Sequence, residues 1–331
     1  MSDMIESSQK TFESAFAFFF PGQGSQKVGM GLELSQEYAA ARAVFDEADA
    51  SLNRKLSQLC FEGPAEALKQ TENTQLAILT CSVAALRVLN EHGIAPKAVA
   101  GHSLGEYSAL VAADVLTFSD ALKLVEYRAK VMAEASQRQD CTMAAILGLE
   151  EATLQELCEA ASSGEGRDAS NGVVQIANYN CPGQLIVSGD TAAVEQVMDN
   201  AKEVGARRCL RLEVSGAFHS SLMAPAKKQL QTVINDFQFN DPSIQVAANV
   251  TGDFVQTAEE IRRLLIAQVT SAVQWEKSTR AIGAAGISHF VEVGPGTALS
   301  GMVRRTLPEA ICLNVEDTKS LNKVMDVAYK D

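Results

Sequence analysis

The sequence has few basic residues relative to its acids, and its histidines and cysteines lack the spacing of a metal site. Its 28 lysines and arginines are outnumbered by 41 aspartates and glutamates, which gives a formal net charge of −13. Because general nucleic-acid binding depends on net positive potential, this balance argues against that class of function. No Cys-x-x-Cys occurs and the four histidines show no paired spacing, so we expect neither a metal site nor a cofactor.

Long apolar runs and a disulfide framework are also missing. No apolar stretch approaches the roughly 18 residues needed to cross a bilayer. Residues 1–14 carry acids and lack a signal-peptide pattern. The seven cysteines are odd in number, scattered, and mostly set in apolar runs, which is typical of reduced, buried side chains. We therefore expect a cytoplasmic protein that does not associate with membranes.

The most informative stretch that is present is Gly101-His102-Ser103-Leu104-Gly105. A short apolar run, 98–100, precedes it, and helix-forming residues, 106–111, follow. Strand, Gly-x-Ser-x-Gly, helix is the pattern of a nucleophile elbow, in which a sharp turn lifts the serine oxygen out of the sheet. The turn would also present the amide N–H of Leu104 to an oxyanion formed beside Ser103.

A second loop, residues 21–26, follows the continuous apolar run Ala15 to Phe20, which predicts a buried parallel strand. A dinucleotide fingerprint would require glycine where Lys27 stands, and the Gly-Lys-Ser/Thr of a phosphate loop is also missing. What remains is either a tight turn or a small-residue loop at the carboxyl end of a core strand, where open α/β sheets bind their ligands.

The domain organisation follows from a change of pattern between residues 140 and 212. We predict strands at 142–147, 173–177, 185–187 and 206–212, with helices at 150–161 and 191–204. The order βαββαβ is that of a ferredoxin-like subdomain. We therefore predict an α/β protein whose large domain, 15–139 and 213–331, is interrupted by this subdomain at 140–212.

Four motifs together resemble the malonyl-CoA:acyl carrier protein transacylase family. They are Phe-Phe-Pro-Gly-Gln-Gly-Ser-Gln at 19–26, Gly-His-Ser-Leu-Gly-Glu-Tyr at 101–107, Ala-Phe-His-Ser at 217–220 and Val-Glu-Val-Gly-Pro-Gly at 291–296. They occur in the family's order, and the resemblance spans about residues 16–313. It implies an α/β-hydrolase-like large domain with a parallel sheet, an inserted ferredoxin-like subdomain, and an active site in the cleft between them.

The resemblance also implies roles for individual residues. Ser103 matches the nucleophile, His219 its base, and Arg128 the arginine that binds the malonyl carboxylate. The remaining matches are the oxyanion-hole N–H groups of Gln23 and Leu104, the histidine-orienting carbonyl of Gln268, the coenzyme A contacts of Asn178, Asn180 and Arg208, and Phe218, which goes with malonyl rather than methyl-branched units.

The chemistry of the residues supports the central assignments. A serine needs a base to become nucleophilic, and His219 lies in a small-residue loop, whereas His102 lies within the elbow and is expected to pack or to orient neighbours. The planar fork of Arg128 suits a carboxylate. A lone arginine in an apolar helix can equally be a surface residue whose stem covers apolar neighbours, and that alternative stays open.

The expected function is transfer of malonyl from malonyl-CoA to the phosphopantetheine thiol of acyl carrier protein in fatty acid biosynthesis, by a ping-pong mechanism through a malonyl-serine. We expect a monomer that meets an acidic carrier through local basic groups, with Arg208 the first candidate. The alternatives are an α/β-hydrolase esterase or thioesterase, which normally has its histidine near the C-terminus, and a non-catalytic scaffold. More than 100 residues follow His219 here.

Overall fold

The computed structural model describes residues 15–163, 172–214 and 216–329, and its strands form two sheets. In chain order the strands are β1 (Phe16–Phe20), β2 (Pro96–Gly101), β3 (Cys141–Leu147), β4 (Val174–Cys181), β5 (Gln184–Asp190), β6 (Arg208–Arg211), β7 (Gln245–Ala247), β8 (Phe254–Val255), β9 (His289–Val293) and β10 (Ile311–Val315). The larger sheet has the order β10-β9-β1-β2-β7-β8, and the smaller sheet has the order β4-β5-β3-β6.

Helices connect and cover these strands. They are α1 (Leu32–Glu37), α2 (Ala39–Leu52), α3 (Leu56–Glu62), α4 (Ala65–Leu68), α5 (Thr71–Glu91), α6 (Gly105–Ala112), α7 (Phe118–Ser136), α8 (Glu151–Ser163), α9 (Thr191–Glu203), α10 (Ala224–Val233), α11 (Ala258–Gln268), α12 (Trp275–Ala284), α13 (Ala298–Thr306) and α14 (Thr318–Ala328). Short 3-10 turns cover Ser221–Met223 and Ile234–Asp236.

The larger sheet is built around β1, whose five residues are all buried. β1 pairs in parallel with β2 on one side and with β9 on the other. Phe16, Phe18 and Phe20 join one apolar cluster, whereas Ala17 and Phe19 join another on the opposite face. A strand whose two faces both pack against helices must be apolar throughout, which explains the continuous run in the sequence. Among the described strands of this sheet, only β8, at one edge, runs antiparallel to its neighbour.

The smaller sheet is entirely antiparallel, and its elements follow the predicted order β3-α8-β4-β5-α9-β6. Ala144 and Ile146 of β3 pack into a small apolar core together with residues of α8 and α9. Met143 and Ala145 belong instead to the large apolar core that includes residues of β1 and α5. Because side chains alternate along a strand, the small sheet has one face for each core.

The elements that the sequence predicted lie within a few residues of the observed ones, except for β4 and β6. β4 continues past its predicted end at 177 to Cys181, so only two residues separate it from β5. β4 also bonds to the segment before α12: the N–H of Tyr179 donates to the carbonyl of Val273, and the N–H of Val273 donates to the carbonyl of Ala177, both at 2.9 Å. These long-range bonds extend β4 and connect the smaller sheet to the segment that precedes α12. β6 is shorter than predicted, at Arg208–Arg211.

Candidate active site

The elbow forms where β2 ends and α6 begins. Ser103 has a φ of +52°, the left-handed region that a non-glycine residue adopts at a cost. The flanking glycines are required by close packing: a Cβ on Gly105 would overlap the carbonyl of Phe20, and one on Gly101 would overlap the backbone of Gly105. The chain can therefore turn sharply here and hold the Ser103 oxygen at the carboxyl edge of the sheet.

Asn249, just after β7, holds this turn from the side. Its Oδ1 accepts a hydrogen bond from the N–H of Ser103 at 2.7 Å, and its Nδ2 donates to the carbonyl of Gly101 at 2.6 Å. The side chain is buried, and it satisfies backbone groups that the sharp turn leaves without helix or sheet partners. Asn249 thus stabilises the strained conformation of the serine.

His219 faces Ser103 from the opposite wall. Its Nε2 lies 2.7 Å from the Ser103 Oγ, while its Nδ1 lies 2.9 Å from the carbonyl of Gln268 and 3.2 Å from that of Ser271. A backbone carbonyl can only accept, so Nδ1 carries the proton and the lone pair of Nε2 points at the serine. Burial, and then the positive charge of Arg128, lower the pKa of His219 to about 3. The imidazole is therefore neutral at pH 7 and able to accept a proton.

Arg128 of α7 lies against the same oxygen. Its Nη2 donates to the Ser103 Oγ at 3.1 Å and to the Gln268 Oε1 at 2.9 Å, and its Nη1 donates to the Gln75 Oε1 at 2.5 Å. The side chain is 1% exposed, which rules out the surface alternative. Its guanidinium also lies 5.5 Å from the ring centre of Tyr107. A buried cation held beside the nucleophile by neutral groups is suited to an anionic ligand.

The two N–H groups expected to form an oxyanion hole lie in loops beside Ser103. Within the described residues, the backbone N–H groups of Gln23 and Leu104 have no hydrogen-bond partner. Both residues line the cavity that contains Ser103. Free donors at this position can stabilise a developing negative charge on a carbonyl oxygen, so the geometry is compatible with acyl transfer.

The cavity has a volume of about 290 Å³, and its walls include loops at the carboxyl edge of the larger sheet and strands of the smaller sheet. The smaller sheet supplies apolar side chains such as Met143 and Ile186, together with Asn178 and Asn180. The Oδ1 of Asn180 lies 2.9 Å from Nε2 of His102, a contact that is compatible with the orienting role expected for His102. The cavity therefore has an anion-binding end at Arg128 and an otherwise largely apolar surface.

The structure brings nearly all of the sequence-predicted residues together. Phe218 is 6% exposed and lines the cavity next to His219, and Gln268 is buried directly behind it. Arg208 is the exception: it is exposed on β6 and does not line the cavity. Its proposed contact with coenzyme A therefore stays a prediction about a surface outside this cavity.

Sequence reasoning missed four residues: Gln75, Glu106, Asn249 and Ser271. Two weak signals were present. Gln75 and Glu106 are polar residues within the buried, mostly apolar stretches of α5 and α6, and a buried polar side chain needs a specific partner. The carbonyl of Ser271 has no side-chain signal at all, because any residue type could supply it.

Within the described part of the chain, no helix is both long enough and apolar enough to cross a membrane. The same residues contain no group of three histidine, cysteine, aspartate or glutamate side chains that could hold a metal ion.

Comparison with known proteins identifies the family. The model of the acyl transferase domain matches residues 17–325. A malonyl CoA-acyl carrier protein transacylase of Bacillus subtilis is 44% identical over 308 residues, which cover 93% of this chain and 95% of that protein. A transacylase of the same name from Haemophilus influenzae is 42% identical over 311 residues, or 93% and 97% of the two chains.

The chain belongs to the malonyl-CoA:acyl carrier protein transacylase family. Solved structures agree with this membership. An acyl carrier protein S-malonyltransferase from Vibrio cholerae superposes with a TM-score of 0.89 at 40% identity, covering 94% of this chain and all of that one. A malonyl-transacylase solved in complex with a type II polyketide acyl carrier protein has a TM-score of 0.90 at 38% identity, covering 95% and 100%. The chain is thus an α/β transacylase with a mostly parallel sheet and a small antiparallel one.

Proposed function

We propose that this transacylase moves malonyl from malonyl-CoA to the phosphopantetheine thiol of an acyl carrier protein in fatty acid biosynthesis. The observation that carries the proposal is the position of the Ser103 Oγ, 2.7 Å from the His219 Nε2 and 3.1 Å from the Arg128 Nη2. One neighbour can take the serine proton, and the other can hold an anionic acyl group beside the attacking oxygen. The relatives bear the corresponding name, which favours transfer over the esterase alternative.

In the first half-reaction, the Ser103 Oγ attacks the thioester carbonyl while the His219 Nε2 takes its proton. The carbonyl π electrons move to oxygen, where the N–H groups of Gln23 and Leu104 would stabilise the anion. The carbonyl re-forms, the C–S bond breaks, and the coenzyme A sulfur takes the proton from His219. The products are free coenzyme A and malonyl-Ser103.

The second half-reaction reverses these steps with a different thiol. His219 removes the proton from the carrier's phosphopantetheine thiol, the sulfur attacks the ester, and the Ser103 oxygen leaves with that proton. The carbonyls of Gln268 and Ser271 would stabilise the imidazolium that forms each time, replacing the acid of a conventional triad. A mechanism with one covalent intermediate predicts ping-pong kinetics.

Selection of malonyl would depend on Arg128 and Phe218. A malonyl carboxylate pairs with the guanidinium, whereas an acetyl group would leave a buried cation without an anionic partner. Phe218 fills the cavity wall next to His219, where a methyl branch on the acyl group would need space. Both residues therefore support the unbranched, carboxylated substrate.

We further infer an α/β-hydrolase-like large domain, 15–139 and 213–331, with a ferredoxin-like subdomain at 140–212. The order βαββαβ, the antiparallel strand order β4-β5-β3-β6 and a separate apolar core support the second assignment. The strand-elbow-helix arrangement at Ser103 supports the first.

We also propose that the enzyme is a monomer in the cytoplasm and that Asn178 and Asn180 contact the substrate. All seven cysteines lie in the described residues and are free thiols, as expected in a reducing compartment. The two asparagines are buried and line the cavity, so their amides could bind the pantetheine arm.

Intact-mass measurement after mixing the protein with malonyl-CoA tests the proposal. We expect a gain of one malonyl group, its loss when a phosphopantetheinylated carrier protein is added, and malonyl-carrier as the product. Ser103→Ala is the control and should gain no mass. Release of free malonate without malonyl-carrier would instead support the esterase, and an unmodified wild-type protein would contradict the proposal.

A further inference from the structure

Glu106 is a buried carboxylate that the reaction steps above do not use. It lies in the first turn of α6, three residues after Ser103, and is 3% exposed. Its Oε2 accepts from Nε2 of Gln268 at 2.5 Å, and its Oε1 accepts from the N–H of Asn249 at 3.3 Å. Within the described residues it forms no direct ion pair, so both of its hydrogen bonds come from neutral donors.

These two donors connect Glu106 to the specificity arginine and to the nucleophile. The Gln268 amide donates to Glu106 and to the Ser103 carbonyl through Nε2, and it accepts from Arg128 through Oε1. Asn249, whose N–H donates to Glu106, uses its side chain to hold the Ser103 N–H. One carboxylate therefore adjoins both residues that control the position of the Ser103 backbone.

The orientation of the Gln268 amide depends on what Glu106 can accept. An ionised carboxylate only accepts hydrogen bonds, so it requires the NH₂ end of the amide to face it. The carbonyl end must then face Arg128, which only donates. If Glu106 were neutral, its O–H could donate to the amide oxygen; the amide would then rotate and turn its NH₂ toward the guanidinium, where two donors would oppose each other.

We propose that Glu106 is a positioning residue for substrate selection: its carboxylate sets the Gln268 amide, and through it the guanidinium that receives the malonyl carboxylate. This inference rests on the proposed malonyl transfer. It differs from the roles of Ser103, His219 and Arg128, because Glu106 acts on the substrate only through Gln268.

A pH dependence of selectivity follows. Burial raises the pKa of Glu106 to about 7, although the Gln268 and Asn249 donors and the charge of Arg128 each lower it. The charged or titratable groups that act on Glu106 or respond to it are Arg128 of α7 and Tyr107 of α6. As the pH falls through about 7, Glu106 gains a proton that it can donate to the Gln268 amide oxygen, so the carboxyl no longer fixes which end of the amide faces Arg128. The preference for malonyl over acetyl should therefore weaken at acid pH, where His219, with its pKa of about 3, is still neutral.

The experiment measures the rates of Ser103 acylation by malonyl-CoA and acetyl-CoA between about pH 5.5 and pH 8. In Glu106→Gln we expect the acetyl-to-malonyl ratio of kcat/KM to rise roughly 10-fold to 100-fold at pH 8, mainly through malonyl KM, and to lose its pH dependence. Glu106→Asp keeps the charge, so it should retain the pH dependence and recover part of the preference.

Glu292→Gln is the matched control. Glu292 is also a buried carboxylate, but it accepts from the N–H groups of Leu299 and Ser300 at the start of α13. Its substitution should lower the melting temperature and leave the acetyl-to-malonyl ratio unchanged. This separates a loss of buried charge in general from the loss of Glu106 in particular.

A folded Glu106→Gln protein would overturn the inference if its acetyl-to-malonyl ratio equals that of the wild type, or if it loses activity equally toward both substrates. The proposed function would still stand in that case, provided that the wild type is malonylated. If Glu106→Gln does not fold, the wild-type profile decides: a ratio constant from pH 8 to pH 5.5 would overturn it. A wild-type protein that is not malonylated would overturn the proposed function itself, and this inference with it.

Discussion

Replacement of Arg128 by alanine tests the link between the buried guanidinium and substrate choice. In the structure this side chain is 1% exposed and donates hydrogen bonds to Gln75, Gln268 and Ser103. The proposed malonyl carboxylate would be held by the same fork. Arg128→Ala removes that partner for malonyl, and it also removes the buried cation that an acetyl group cannot neutralise.

The size of the effect follows from the hydrogen bonds lost. A hydrogen bond to a charged group contributes about 1.5–3 kcal/mol, so a two-point contact contributes about 3–6 kcal/mol. Since about 1.4 kcal/mol corresponds to a factor of ten, kcat/KM for malonyl-CoA should fall by roughly 10²-fold to 10⁴-fold. Acetyl-CoA makes no such contact, so the acetyl-to-malonyl ratio should rise by a similar factor.

The same substitution should alter the pH profile of acylation. Burial contributes most to the low pKa of His219, and the charge of Arg128 contributes next. Without that charge, the pKa of His219 should rise from about 3 toward its ordinary value of 6.5. Because only the neutral imidazole can accept the serine proton, the acid limb of the acylation rate should move to higher pH.

Both effects can be measured by monitoring acylation with malonyl-CoA and with acetyl-CoA by intact mass at several pH values. Arg262→Ala is the matched arginine control, because its guanidinium lies 4.8 Å from the ring centre of Phe239 and not in the cavity. It should change neither the ratio nor the pH profile. An unchanged acetyl-to-malonyl ratio in Arg128→Ala would refute the assignment of the guanidinium to the carboxylate.

Three further predictions concern the base, the elbow and the carrier. His219→Gln should slow acylation by roughly 10³-fold or more. The substitution should also remove one source of acid instability, because between pH 6.5 and about 3 His219 binds a proton in the unfolded chain but not in the folded one. In chemical denaturation, the free energy of unfolding of the variant should therefore fall less steeply with decreasing pH than that of the wild type. Asn249→Ala should slow malonyl and acetyl transfer equally, since it releases the Ser103 backbone; a changed ratio would contradict this role. Arg207 and Arg208 are both exposed where β6 begins, so the double substitution Arg207→Glu, Arg208→Glu should raise KM for an acidic carrier in a salt-dependent way and leave acylation by malonyl-CoA less affected. An unaltered carrier KM at low ionic strength would place docking elsewhere.

Features that depend on local spacing can be predicted from the sequence alone. The five buried residues of β1, the glycines that permit the turn at Ser103 and the order of elements from β3 to β6 all follow from patterns a few residues long. Two of the four family motifs contain Ser103 and His219, and the family resemblance also implied Arg128; the structure brings the three side chains together. In these cases the residue type itself carries the geometric or chemical requirement.

The contacts that hold these groups in position become visible only in the folded chain. Gln268 bonds to Ser103 across 165 residues of chain, and Asn249 does so across 146. His219 takes its orientation from two main-chain carbonyls, that of Gln268, which the family resemblance had implied, and that of Ser271, which no sequence pattern indicated because every residue type has a carbonyl. The role of Glu106 depends on which end of a distant amide faces it. Because such bonds depend on where the fold places a backbone group or an amide, the order of the residues does not reveal them.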